Sequence, residues 1–220
     1  MRTYLARHDQ DDVSHTDRLR HQIAFLSDNP DTVVVGTWVN HRSYDSVGYR
    51  DKRPRRQHPV SDSNIRLLLC WNSPFVHGSV MMRRSAFDEC GRYSESSLLT
   101  PPEDYELWVR MSKFGRLANI PKRLLTYQVN PDGMSYRRSE EIGRKLLLTS
   151  RPYVSEITAE PMPQTLDSSL AILNGKHSST FGLHDYLRAS HLVVMLSKSI
   201  KNRSLLVGQI AYISEESRNN

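Results

Sequence analysis

Cysteine and long apolar stretches are both scarce in this chain of 220 residues. The two cysteines, Cys70 and Cys90, have no C-x-x-C spacing, so a zinc site is not expected and both thiols read as reduced. No apolar run approaches the ~18 residues of a membrane span. The residues ahead of Tyr4 lack the apolar core of a signal peptide, so the expected location is cytoplasmic, within reach of the inner face of the membrane. Aromatic residues make up only 8%, and the basic residues are scattered apart from one loop. With no recognised motif, nucleic acid is not expected as a partner. No internal repeat is present.

The remaining composition is that of a globular chain, 38% hydrophobic and 25% charged, with a net charge of +6. That balance favours anionic partners such as nucleotides or a phospholipid surface without choosing among them. The most informative segment lies near the start. Thr3-Tyr4-Leu5-Ala6 reads as a short strand, and the acidic run Asp9-Gln10-Asp11-Asp12 follows it directly. Carboxylates one residue apart at a strand end can point at one hard cation, which takes oxygen ligands. A second acidic pair, Glu103-Asp104, opens a helix behind Pro101-Pro102, with proline in the first turn and acids at the positive dipole end.

Between these segments a helix is predicted with Ser14 or Thr16 as its cap and Leu19, Ile23 and Leu26 as its apolar stripe. Asn29-Pro30-Asp31 stops it. Thr32 to Gly36 reads as a buried β-branched strand that Trp38 and Val39 can extend. Residues 41 to 60 read as a polar loop carrying Arg50, Lys52, Arg53, Arg55 and Arg56. A helix near 64–69, a strand over 78–83 and a short helix over 85–90 stopped by Gly91 come next. The helix opened by Glu103 turns Leu107, Trp108 and Met111 inward, and two strands, 117–120 and 124–129, flank Pro121. From Ser139 the pattern is helical, with Pro152, Pro161 and Pro163 as interruptions. The expected division is 1–138 for an α/β domain and 139–220 for a helical C-terminal extension.

Four segments taken in order resemble the second half of a family-2 glycosyltransferase with the GT-A fold. Ala6-Arg7-His8-Asp9-Gln10-Asp11-Asp12 is similar to the DXD strand end. Asp17-Arg18-Leu19 to Leu26, with Asn29-Pro30 and Val35-Gly36, is similar to the helix and strand that follow it. Asn72 to Met81 with Arg83 resembles the acceptor-side strand, and Pro102 to Trp108 resembles the ED helix. The match covers about residues 3 to 138. A lone DXD is weak evidence; the ordered set is strong.

The resemblance implies part of a Rossmann-like mixed sheet flanked by helices. It also implies a nucleotide-sugar donor, a saccharide or lipid-linked acceptor, and Mg²⁺ or Mn²⁺ as cofactor. Asp9 would contact the donor's ribose or sugar, and Asp11 would hold the metal against the diphosphate. Asp104 would be the general base in an inverting transfer. Glu103, His77 and Trp108 would lie on the acceptor side. The family often has a histidine metal ligand after the last strand; here the segment is Tyr127-Gln128-Val129-Asn130, which offers Asn130 as an oxygen ligand. A nucleotide-binding half of about 90 residues, three βα units, would precede the DXD strand. Met1 falls where it should end, so the expectation is an incomplete donor site that a partner chain could complete.

Simpler readings stand beside these. Asp9 and Asp11 can be a solvated turn, and Glu103-Asp104 can serve the helix dipole alone. His77 can be a hydrogen-bonded structural residue, and Trp108 can be core. The Arg50–Arg56 run can be a solvated loop; as a binding loop it would touch an anionic acceptor or a membrane surface.

Overall fold

The computed structural model describes residues 3–45, 48–50, 57–96, 102–129, 139–174 and 181–219, with side chains left out at 43–50, 139–140 and beyond 202. Strand β1 (Tyr4–Ala6) is followed by the two-residue β2 (Val13–Ser14) and helix α1 (Arg18–Asp28). Then come β3 (Thr32–Asp45), β4 (Gly48–Arg50), α2 (Asp62–Leu69), a 3₁₀ turn (His77–Ser79), β5 (Met81–Arg83) and α3 (Arg84–Glu89). Helix α4 (Glu103–Met111) leads into β6 (Arg116–Val129), and three further helices close the chain: α5 (Ser139–Thr158), α6 (Asp167–Leu173) and α7 (Leu183–Asn219).

The strands form one mixed sheet in the order β1-β5-β3-β6-β2, with β4 paired to the far end of β3. Strand β5 runs antiparallel to both β1 and β3, so β1 and β3 point the same way. Strand β6 is parallel to β3. Helix α4 leads directly into β6 and must run back across the sheet, which sets its N-terminus over the carboxyl edge of the parallel strands. Strand β1 ends at that same edge. Ligands of open α/β sheets bind there.

Several elements depart from the sequence reading for identifiable reasons. Strand β6 is continuous across Pro121. The pairing with β3 skips from Thr37↔Ile120 to Trp38↔Arg123, so a bulge absorbs the proline and its missing N–H. Residues 41–45, expected in a loop, extend β3: 41–43 continue the pairing with β6, and 43–45 pair with β4. The strand expected over 78–83 begins only at Met81, because residues 77–79 wind into a 3₁₀ turn. Pro152 does not interrupt α5. It sits on the exposed side, where water can serve the carbonyl left without a donor. Gly91 does end α3, at φ 89°, a conformation that glycine adopts without steric cost. The basic run at 52–56 lies outside the described residues.

Helix α1 departs furthest. Its apolar stripe was expected at Leu19, Ile23 and Leu26, yet Leu19 is 48% and Ile23 44% exposed. The buried face is Arg18, Gln22 and Leu26. No side chain caps it, Ser14 being in β2. Gln22 Nε2 donates to Val35 O (3.0 Å) and Ser79 O (2.9 Å), so this face grips backbone rather than apolar side chains.

The main core lies beneath the other face of the sheet. It joins Val33, Val34, Ile65, Leu69, Leu107, Trp108 and Met111 to Leu146, Tyr153, Val154 and Ile157 of α5, Leu170 of α6 and Leu192, Leu196 and Ile200 of α7. The C-terminal helices therefore share one continuous apolar interior with α2 and α4. Cys70 is sealed within it, and burial pushes its thiol up to about 12. Among the described residues no helix is long and apolar enough to cross a membrane.

Candidate active site

The acidic loop leaves β1 and is bound into a frame of backbone contacts. Arg18 of α1, 2% exposed, donates from Nη1 to Gly78 O (2.6 Å) and from Nη2 to Arg7 O (2.7 Å). One guanidinium thus ties the end of β1 to the 3₁₀ turn. Arginine suits this role because its donors form a rigid fork. Asp12, 6% exposed, accepts from the Gln128 N–H through Oδ1 (3.0 Å) and ties the loop to the end of β6.

The second Asp12 oxygen, Oδ2, is buried and has no hydrogen-bond partner. Gly78 lies between two carboxylates. A Cβ there would come within 2.5 Å of Asp12 Oδ2 and 3.2 Å of Asp9 Oδ2, so the absence of a side chain admits both acids. Burial, together with the charges of Asp9 and Asp11, pushes the Asp12 carboxyl up to about 6 from 3.8, against the opposing hydrogen bond from Gln128 and the charge of Arg18.

The sign of the stability effect follows from that shift. A carboxyl held above its unfolded value favours the fold when protonated; that relative benefit is full below about pH 4 and is lost as pH rises through about 6. Asp12→Asn should therefore raise stability at pH 8 by about 1–3 kcal/mol, two pKa units being the upper limit. At pH 4 the gain should shrink toward zero. Urea melts in EDTA at the two pH values check this; an equal or reversed difference would mean that Asp12 is well compensated.

Around this loop the structure gathers residues far apart in sequence. Arg7 Nη2 pairs with Asp9 Oδ1 at 2.6 Å, and its Nε donates to His77 Nε2 at 3.3 Å. The Tyr93 hydroxyl meets the same His77 nitrogen at 2.7 Å. Since Arg7 can only donate, Nε2 is the acceptor, Tyr93 donates as well, and the imidazole proton is assigned to Nδ1. His77 also stands edge-on to Trp108 of α4, centroids 6.1 Å apart. The Tyr93 hydroxyl is pushed up to about 12 by burial, and it feels the charges of Arg7, Asp104, Glu103 and Asp9 together.

Asp104, in the first turn of α4, retains some exposure. Burial pushes its carboxyl up, His77 draws it back when its ring is charged, and Glu103 pushes it up again. Asp9, His77, Glu103 and Asp104 thus stand in one neighbourhood, and Asp11 is exposed beside it.

One expected site residue does not fit its role on this geometry. Trp108 is 0% exposed, with Phe75 edge-on at 5.5 Å, so its ring has no open face for an acceptor sugar and serves the core. Asn130 lies outside the described residues. Among the described residues no three His, Cys, Asp or Glu side chains are already gathered around one point. The loop nonetheless suits a hard cation: Asp9, Asp11 and Asp12 offer carboxylate oxygens, and the buried Asp12 Oδ2 has no hydrogen-bond partner. An open cavity of 630 Å³ lies at the opposite edge of the sheet, lined in part by Thr32, Arg116 and Lys201; none of its lining residues belongs to the acidic loop or α4.

The sequence reading assigned no role to Arg7, Asp12, Arg18 or Tyr93. Their partners lie 70, 116, 60 and 16 residues away, which no local pattern encodes. The polar pair Arg18 and Gln22 at i and i+4, in phase with Leu26, was the one available signal for α1.

The model of the family described as glycosyl transferase family 2 matches residues 2–91, which hold the acidic loop, α1 and the His77 turn. Over that part the chain is similar to glycosyl transferase family 2. It is 33% identical to EpsE of Bacillus subtilis (strain 168) over 136 residues, 61% of this chain and 46% of that protein. It is 29% identical over 135 residues to the amylovoran biosynthesis glycosyltransferase AmsE of Erwinia amylovora, 61% of this chain and 48% of that protein. The chain therefore spans about half the length of these curated relatives. The crystal structure of S. aureus TarS 1-349 in complex with UDP-GlcNAc aligns with a TM-score of 0.50 at 12% identity, over 91% of this chain and 58% of that one. This agrees with a GT-A mixed sheet flanked by helices.

Proposed function

We propose that this chain supplies the acceptor-side and catalytic part of an inverting, metal-dependent family-2 glycosyltransferase. The reaction would move a sugar from a nucleotide-sugar donor to a hydroxyl of a saccharide or lipid-linked acceptor, in surface polysaccharide or glycolipid synthesis. The observation that carries the reading is the meeting of the Asp9 loop and the Glu103-Asp104 helix start through Arg7, His77 and Tyr93.

The chemistry follows from those positions. Asp104 takes the proton of the acceptor hydroxyl, whose oxygen then forms the new bond to the anomeric carbon. The bond from that carbon to the diphosphate breaks on the opposite side, so configuration inverts and the nucleoside diphosphate leaves with the electron pair. Asp104's raised affinity for a proton suits a general base, whose pKa should approach the working pH. Asp9 orients the donor's ribose or sugar, and Arg7 holds the Asp9 carboxylate in place. His77 and Glu103 border the acceptor. Asp11, with Asn130 as a further oxygen ligand, would hold Mg²⁺ or Mn²⁺, which when bound neutralises charge on the leaving diphosphate.

The UDP-GlcNAc held by TarS supports UDP as the first nucleotide to try. Isothermal titration with UDP and Mn²⁺ should show binding that disappears in Asp11→Ala. Turnover by the chain alone should be poor, since it spans about half of its relatives; robust turnover would show that its donor site is already complete. Absence of any UDP or Mn²⁺ binding would favour a second reading, a non-catalytic remnant that acts as an interaction module or needs a partner chain. Asp11 is exposed, and among the described residues no ligand cluster is gathered around it, which is the observation that favours that reading.

A further inference from the structure

Helix α7 buries one side and leaves an unusual opposite side. Ala189, Leu192, Leu196 and Ile200 are 2%, 2%, 0% and 3% exposed and face the core. At about 100° per residue, Leu183, Leu187 and Val194 fall together within about 40° of arc, directly away from that buried side. They are 78%, 59% and 51% exposed, where a solvated helix would carry polar residues. Tyr186, 39% exposed, borders them.

The charges on the exposed side have one sign. Arg188, Lys198 and Lys201 are exposed: Lys198 and Lys201 lie within about 40° of the apolar residues, Lys201 also reaching the rim of the sheet-edge cavity, and Arg188 lies about 120° round the helix. The only acid on the side-chain-described part of α7 is Asp185, and it is engaged: Oδ2 accepts from the Gly182 N–H at 3.0 Å and Oδ1 from the Ser168 hydroxyl at 3.3 Å. Apolar residues beside cations with no competing acid form the pattern of a helix lying in the interface of an anionic bilayer. Protein–protein interface cores, by contrast, are depleted of lysine.

We propose that the outward side of α7 docks on an anionic phospholipid bilayer, with Leu183, Leu187 and Val194 entering the headgroup boundary and Lys198 and Lys201 pairing with lipid phosphates. This surface is separate from the acidic loop and does not depend on the transferase reading. The helix lies flat on the membrane rather than crossing it.

The test uses the whole chain and sedimentation with two kinds of vesicle, phosphatidylcholine alone and phosphatidylcholine mixed with phosphatidylglycerol. Binding should require phosphatidylglycerol and weaken as salt shortens the screening length from about 10 Å at 0.1 M to about 3 Å at 1 M. Leu187→Glu with Val194→Glu should abolish it, and Lys198→Glu with Lys201→Glu should lower partitioning by about tenfold or more. All four positions are exposed or outward, so circular dichroism should show unchanged folding. Leu19→Glu with Ile23→Glu, on the exposed side of α1, should leave vesicle binding intact. No sedimentation with either vesicle, equal binding to neutral vesicles, or binding undiminished in the α7 variants would overturn the proposal. So would a concentration-dependent dimer that the Leu187 and Val194 changes dissolve, because the surface would then be covered by a second copy.

Discussion

Asp104→Asn is expected to cut sugar transfer by about 10²–10⁴-fold, the usual worth of a positioned general base. The loss should appear in kcat with UDP–Mn²⁺ affinity changed by less than about twofold. Asparagine keeps the size of the side chain and its place at the start of α4, so the fold should tolerate it. What disappears is the ability to take a proton. The same loss should be seen in whatever turnover the chain supports, alone or with a chain that completes its donor site. Equal loss of nucleotide binding would place Asp104 on the donor instead, and near-normal turnover would remove it from the chemistry.

Arg18→Met should lower stability by about 3 kcal/mol, toward the range seen when one partner of a buried charged network is removed. Methionine fills most of the space but cannot donate. The carbonyls of Gly78 and Arg7 would lose donors at 2.6 and 2.7 Å, and Asp12 would lose a favourable charge. Relief of the cost of burying a guanidinium offsets part of this, since burial already lowers the Arg18 pKa. For a chain of this size Tm should fall by roughly 5–12 °C. Arg18→Lys should recover only a fraction, because one ammonium cannot span both carbonyls in fork geometry. A loss below about 1 kcal/mol in chemical denaturation would mean that water replaces the clamp.

These two residues also show where a sequence can and cannot be read. Helix α4 was legible because Pro102, the acidic first turn and the inward Leu107, Trp108 and Met111 all agree on one helix in one orientation. Acids that mark a helix start also mark a site, and Asp104 was found for both reasons at once. Arg18 was not legible. Amphipathic periodicity assigns polar residues to water and so turns Leu19 and Ile23 inward, whereas in the fold backbone carbonyls recruit Arg18 and Gln22. Pro121 was read as a break for an equally local reason, and β6 absorbs it through a bulge set by its pairing with β3. Within the site, Asp9, His77 and Asp104 came from resemblance to a family. Arg7 and Tyr93, which join them, emerge only when β1, the 3₁₀ turn, α3 and α4 are brought together. Trp108 was misplaced because a tryptophan beside a binding motif reads equally as platform and as core, and only its burial decides.

The most direct test of the account is a Mn²⁺ titration of the ¹⁵N-labelled chain followed by amide relaxation. The account predicts that amides of Asp9 and Asp11 broaden together with those of His77, Tyr93 and Asp104, while Thr32 and Arg116 at the far sheet edge stay sharp. Asp11→Ala should abolish the broadening at all five. Broadening confined to the acidic loop with Asp104 untouched, or none at all, would contradict a shared site.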